Sequence, residues 1–319
     1  MIIYNEQMDQ RFSDFGIMIP IVDDRSQKVA SNLKIEQTPL DKIPLISRDD
    51  LLLVHSKDYV DSLFDELRRE QSIFRTYELI NLDGSYHRYE PQNALYSLDK
   101  LVDRILLQAG ASLLAMKRAI AGDDSFVLAG GMHHAMKDSG RGFCLINDIV
   151  IGIRKLQNSG EIKTAWVIDV DAHKGDGTAE VCFGDDSIRT MSIHMKRGWP
   201  LCEGEGSEPW FLPSDLDIEV DVGQESDYLF FLSKALEKME KGFGLPDLCV
   251  VVCGADPYEK DELESANLLK LTKEQMLKRD LLVFDFFKMR KIPQAYVMAG
   301  GYGKSSYEIY EQFIKESFL

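Results

Sequence analysis

The chain has little cysteine, no long apolar run and no excess of basic charge. Its five cysteines among 319 residues (Cys144, Cys182, Cys202, Cys249 and Cys253) form no C-x-x-C pair, and an odd number argues against a disulfide framework. Cys249 and Cys253 sit in LCVVVC, which reads as a buried strand and not as a thiolate metal site. No segment approaches the roughly 20 apolar residues of a membrane-spanning helix. The opening MIIYNEQMDQ lacks a basic stretch followed by an apolar one, so the expectation is a soluble, cytoplasmic protein with no membrane partner. With 53 acidic against 37 basic side chains the formal net charge is −16, which speaks against a nucleic-acid partner, since phosphate needs a basic face. A cationic peptide or amine would be attracted, ordinary acidic solubility being the plainer account of the same charge. Repeats, low-complexity segments and linkers are missing too, so residues 1–319 read as a single domain.

What is present is a large apolar fraction, 45%, distributed in an alternating pattern. Strands are expected at 126–129 (FVLA), 164–170, 188–193 (IRTMSI), 248–253 (LCVVVC) and 294–299 (QAYVMA), and helices at 147–158, 226–241, 273–290 and 305–317. Further helices are expected from about Lys57 and over the periodic Leu98–Met116, ending near Gly122, while residues 71–97 show no clear period and read as a long loop with room for a short helix. Gapless apolar strands interleaved with helices imply an α/β fold, three αβα layers around a mostly parallel sheet buried on both faces.

One stretch stands out: Thr164 to Gly177, TAWVIDVDAHKGDG. Strand spacing places Asp169, Asp171 and His173 on one face at its C-terminal end, before Gly175 and Gly177 open a loop. Two carboxylates and an imidazole delivered to one spot by an apolar strand are costly unless compensated. A divalent metal is one compensation, because Asp oxygen and His nitrogen both suit zinc. A hydrogen-bonded Asp–His pair capping a turn is the other. The remaining strands also end in reactive residues: FVLA in GGMHHA, TMSI in His194, CVVVC in GAD, and AYVMA in GGYG. Ligand sites of open α/β sheets lie beyond the carboxyl ends of the strands, and several such endings on one edge point to an active site.

These segments carry a resemblance. GGMHHA, GFCLIND, DVDAHKGDG, the Ser-Ile-His at 192–194, GAD and AGGYG occur in the order found in zinc-dependent histone deacetylases of the arginase/deacetylase superfamily. The resemblance runs from about Leu51 to the C-terminus. DAHKGDG, GADPYEKDEL, KRDLLVFDF and GGYGKSS look most like the class IV branch. It implies an arginase/deacetylase-like fold, one catalytic zinc held by Asp171, His173 and Asp256, and a water activated there for attack on an acyl amide. It implies that His133 and His134 are the tandem histidines, oriented by Asp169 and Asp176 respectively, with His134 as the principal base and then acid and His133 assisting electrostatically. Tyr302 matches the tyrosine that stabilises the tetrahedral oxyanion. Gly142 and Phe143 match one wall of the acyl-lysine channel, and Gly300 and Gly301 allow close backbone approach beside Tyr302. Trp199 is expected as the opposite wall from its distance past His194. A structural monovalent cation, commonly potassium, is implied at Asp169, Asp171, His173, Ser192 and Ile193. Arg25 stands either as the family's basic residue near an internal cavity or as a surface arginine.

Departures accompany the resemblance. Lys174 replaces the second histidine of the common D-x-H-H-G form, as in the class IV branch, and is not expected to be a ligand. No acidic residue in 71–97 clearly matches the one that grips the substrate backbone. His55, His87 and His194 read as structural or surface residues. The activity implied is removal of acetyl or longer acyl groups from the ε-amine of lysine in proteins or peptides. A small-molecule amidohydrolase acting on acylated polyamines is the alternative, with substrate size set by the rims 71–97 and 195–213. An arginase-like dinuclear site lacks its bridging carboxylate, because that position is Gly175. A catalytically silent acyl-lysine-binding module would have to retain every catalytic residue type without using it.

Overall fold

The computed structural model describes residues 1–201 and 212–319; Cys202 and residues 202–211 of the expected rim lie outside them. Among the described residues seven strands form one sheet in which every neighbouring pair is parallel: β1 (Ile2–Ile3), β2 (Ser125–Val127), β3 (Ala165–Asp169), β4 (Ile188–Met195), β5 (Leu216–Val220), β6 (Leu248–Val252) and β7 (Gln294–Val297), in the order β1-β2-β7-β6-β3-β4-β5. The five expected strands are all present, each within a few residues of its predicted ends. All residues of β3 and β6 are buried, which is why they read as unbroken apolar runs. The edge strand β5, LDIEV, escapes such a reading because only Val220 is buried and two of its five residues are acidic.

The helices are α1 (Arg25–Asn32), α2 (Arg48–Leu51), α3 (Lys57–Phe64), α4 (Glu66–Thr76), α5 (Asp99–Ile120), α6 (Asp148–Asn158), α7 (Asp176–Cys182), α8 (Tyr228–Phe243), α9 (Lys273–Arg290) and α10 (Tyr307–Ser317). They flank the sheet in two groups: α5, α6 and α7 pack on one another, as do α8, α9, α10 and α1. The stretch 71–97, expected as a loop with room for a short helix, begins inside α4, which runs as far as Thr76. Asp65 divides α4 from α3. It ends α3 and then caps α4, its Oδ1 accepting the N–H groups of Leu67 and Arg68.

The connections reverse direction between β3 and β6. The chain leaves β3 for β4 and β5 on one side, then returns to lay β6 against the other. The crevice at the carboxyl ends of these two strands is therefore the place where an open α/β sheet accepts a ligand.

Candidate metal centre and active site

Strand β3 ends at Asp169, so Asp171 and His173 stand in the loop beyond it, a correction to the expectation that one strand face carries all three. Consecutive side-chain turns shape that loop. Asp169 Oδ1 accepts the Asp171 N–H at 3.1 Å, and Asp171 Oδ1 accepts the His173 N–H at 3.0 Å. Asp256 arrives from the end of the neighbouring β6, and one of its oxygens accepts the Ala172 N–H at 2.9 Å. Ligand-type atoms of Asp171, His173 and Asp256 then lie within 4.8 Å of one another, and all three residues are buried. Nδ1 of His173 faces both carboxylates, at 3.2 Å from Asp171 and 2.8 Å from Asp256, while its Nε2 lies 3.4 Å from the Ser265 hydroxyl.

The electrostatics of this cluster call for a cation. Burial, with the charge of Asp171 added, pushes Asp256 up to about 6. Burial alone would discharge His173, yet hydrogen bonds to Asp171 and Asp256 outweigh it and raise the imidazole to about 10. Two carboxylates and an imidazole crowded together out of water mark a position that a metal ion would neutralise. Nothing bulky can intrude: a Cβ on Gly254 or Gly300 would strike the Asp171 carboxylate, and Gly300 N–H instead donates to it at 3.0 Å.

His133 and His134 sit beside the cluster with ring centroids 3.9 Å apart. His133 Nδ1 meets Asp169 Oδ2 at 2.7 Å and His134 Nδ1 meets Asp176 Oδ1 at 2.6 Å, the pairing expected from the resemblance. Their charges are driven apart. For His133 the burial penalty is outweighed by Asp169 and Asp171, which hold it up at about 9. For His134 burial, joined by repulsion from His133, prevails and pulls it down to about 4. The surroundings thus favour the imidazolium at His133 and the free base at His134.

Tyr302 is buried, and burial together with the charge of Asp256 holds its hydroxyl well above the ordinary tyrosine range. Gly142, Phe143, Trp199 and Tyr302 line a mouth of about 170 Å³ with His173, Glu78, Arg88, Leu263 and Ser265. Trp199 lines the same mouth packed against Gly142, its ring 4.5 Å from that of His134. Gly142 adopts φ +55°, and a Cβ there would run into Trp199 and come within 2.9 Å of His134. Gly300 also borders a second cavity, about 70 Å³, lined by His133 and His134 among others. Arg25 lines it as well, donating to the carbonyls of Gly301 at 2.7 Å and Ala299 at 2.9 Å, so it is not a surface arginine. Gly301 is drawn against the Tyr310 hydroxyl, where a Cβ would lie at 2.7 Å.

Asp169 pairs with Ser192 across β3 and β4, next to Ile193, and the buried Ser192 hydroxyl has no hydrogen-bond partner among the described residues. Lys174 points away from the ligand set, buried and ion-paired with Asp217 of β5. His55 accepts the Asn147 N–H and bonds the Met136 carbonyl, His194 bonds the Met195 carbonyl, and His87 is exposed.

Two carboxylates with no assigned role also shape the site. Asp148, buried at the start of α6, accepts the N–H groups of Gly131 and Met132 and so holds the turn that carries His133 and His134. Asp261 accepts the Tyr302 N–H at 2.7 Å and the Leu263 N–H at 2.9 Å. Their place in GFCLIND and GADPYEKDEL was the available signal, but an aspartate that serves backbone amides far along the chain has no spacing to betray it.

Fold and site together define a class, a helix-flanked parallel α/β protein with a buried Asp–His–Asp ligand set at the carboxyl edge of its sheet. Residues 20–316 match the histone deacetylase domain. The chain is 31% identical over 262 residues to histone deacetylase 2 of Arabidopsis thaliana, covering 82% of this chain and 62% of that protein. It is also 31% identical over 210 residues to an uncharacterized protein of Picosynechococcus, 66% of each chain. Among solved structures, the HD domain of HDA15 superposes with a TM-score of 0.72 at 21% identity, covering 99% of this chain and 90% of that one. A histone deacetylase homolog complexed with SAHA gives 0.70 at 24% identity, covering 94% and 78%. The chain belongs to the histone deacetylase domain family. It spans about two-thirds or less of the length of the curated relatives it matches.

Proposed function

We propose that this chain is a zinc-dependent amidohydrolase that removes an acyl group from the ε-amine of lysine in a protein or peptide. The observation that carries this reading is the convergence of Asp171, His173 and Asp256 within 4.8 Å at the floor of a channel walled by Gly142, Phe143, Trp199 and Tyr302. Two carboxylates and one imidazole neutralise Zn²⁺ and leave coordination open, as a hydrolytic site requires. A zinc ion held there would polarise the scissile carbonyl and acidify the attacking water.

The chain's own groups carry out the remaining steps. Asp176 occupies Nδ1 of His134 and leaves Nε2 of a neutral ring free to take the water's proton. The same nitrogen then returns a proton to the departing lysine amine. His133, kept charged by Asp169, supplies positive potential without transferring a proton. The Tyr302 hydroxyl, protonated because it is buried, donates to the oxyanion as it forms. For a structural potassium ion, the unpartnered Ser192 hydroxyl beside Asp169 is the supporting observation, since buried hydroxyls normally have partners.

Two features narrow the substrate. Among the described residues that line the mouth, Glu78 is the one carboxylate, and it is paired with Arg88 at 2.8 Å. A polyamine would need bare negative charge there, so acyl-lysine in a peptide is favoured over an acylated small amine. The inner cavity is lined in part by Asp9, Arg11, Asp23 and Arg25, charged side chains that suit a short acetyl group better than a long apolar fatty-acyl chain. The class IV affinity rests on the four sequence segments named above, with Lys174 turned from the ligands toward Asp217.

Purified protein is expected to turn over an acetyl-lysine fluorogenic peptide, to lose activity to a chelator and to regain it with zinc. Acetylated polyamines and octanoyl- or myristoyl-lysine peptides are expected to be poorer substrates. Full activity in protein shown to be metal-free would refute the reading.

A further inference from the structure

His134 is oriented by more than its aspartate. Arg141 sits in the tight turn that precedes Gly142, where its N–H and C=O both bond Cys144, at 3.0 and 2.9 Å. From there its Nη1 reaches Asp176 Oδ2 at 2.8 Å, while the other oxygen of that carboxylate holds His134 Nδ1 at 2.6 Å. The Asp176 side chain is 2% exposed and that of Arg141 27%, so the guanidinium covers a carboxylate otherwise sealed in the protein. The same guanidinium lies 5.2 Å over the Trp199 ring, and Trp199 lies edge-on to His134 at 4.5 Å. The two groups that bracket the His134 ring are thus both held by Arg141.

We infer that Arg141 is a positioning residue for the acid–base histidine, fixing Asp176 and Trp199 so that His134 keeps one orientation. This rests on the acyl-lysine hydrolase reading for its effect on turnover, though not for its effect on the His134–Asp176 hydrogen bond. The physical case is geometric. Asp176 Oδ1 also accepts the Gly177 N–H at 3.0 Å, but Arg141 is what fixes the second oxygen. A guanidinium bonded to that oxygen and placed over an aromatic wall limits rotation about the Cβ–Cγ bond. Lysine could supply charge at Asp176 but not a guanidinium fork that bonds Asp176 while lying over Trp199.

The test uses Arg141→Ala and Arg141→Lys in the full chain. With zinc loaded, Arg141→Ala is expected to lower kcat about 10- to 100-fold, the usual range for loss of such a supporting partner, with KM changed less than about threefold and zinc affinity by chelator competition unchanged. Arg141→Lys should recover only part of the loss. Millimolar guanidinium should rescue Arg141→Ala and leave His134→Ala inactive. Independently of catalysis, the downfield proton resonance of the His134–Asp176 hydrogen bond, assigned by its absence in His134→Ala, should shift in Arg141→Ala and return with guanidinium. An unchanged resonance together with wild-type kcat overturns the inference, as does a loss of kcat that guanidinium fails to restore in a variant with normal zinc affinity. If the wild-type chain shows no acyl-lysine turnover, the hydrolase reading fails alone, and the resonance decides the role of Arg141.

Discussion

Two adjacent residues of one type, His133 and His134, are pushed in opposite directions by what surrounds each ring. Asp169 and Asp171 both face His133, whereas His134 has Asp176 alone and must also bear the field of His133. Identity at a position thus sets the range of chemistry, and neighbours choose within it. Two tests belong to this scale. Tyr302→Phe removes only a hydroxyl, so kcat should fall about 100- to 1000-fold, the cost of a lost oxyanion donor, with folding unaffected; steady-state kinetics would place the tyrosine elsewhere if the rate held. Asp256→Asn removes one of the two charges of the ligand set, so zinc content measured by atomic absorption should drop to a small fraction of wild type. Full occupancy in that variant would take Asp256 out of the set.

At the scale of elements, the site is built where strand ends, a helix start and a turn are tied together by few buried groups. His55 is such a tie. Beyond the end of α2, its ring accepts the Asn147 N–H at the cap of α6 and bonds the Met136 carbonyl next to the tandem histidines. Burial lowers this imidazole to about 4, so the fold holds the neutral form while the unfolded chain titrates near 6.5. A depressed pKa of this kind contributes stability that is complete above about 6.5 and is lost as pH falls toward 4. The loss from this residue amounts to about 3 kcal/mol, and denaturant unfolding of wild type against His55→Gln should show their difference shrinking across that window. A difference independent of pH would mean the ring is not held neutral. Element boundaries also explain what stayed illegible. The start of α4 is set by the Asp65 cap and not by apolar period, and β5 is an acidic edge strand that only its pairing with β4 defines.

Across the whole molecule the dominant quantity is a net charge of −16 around a mouth whose own carboxylate is paired. Long-range attraction of a cationic peptide and short-range fit at the mouth are therefore separate effects. For a lysine-rich acetyl-lysine peptide, kcat/KM should fall several-fold as sodium chloride rises from about 50 to 500 mM, because screening shortens the field to a few ångströms, while kcat holds. A neutral peptide should show little change, and equal salt sensitivity of the two would remove the charge from substrate recruitment.

The sequence by itself determined the buried parallel strands, since only a sheet covered on both faces tolerates runs such as AWVI and LCVVV. It also determined the site's chemical inventory through the residues that follow those strands. Only the tertiary structure decided that Asp171 and His173 occupy a loop beyond β3, that Asp256 meets them across β6, and that Asp148, Asp261 and Arg141 hold the reactive groups in place. The reason is physical. Periodicity and short motifs report contacts between near neighbours, whereas one part-buried hydrogen bond between residues 35 or 41 positions apart depends on how the whole chain closes.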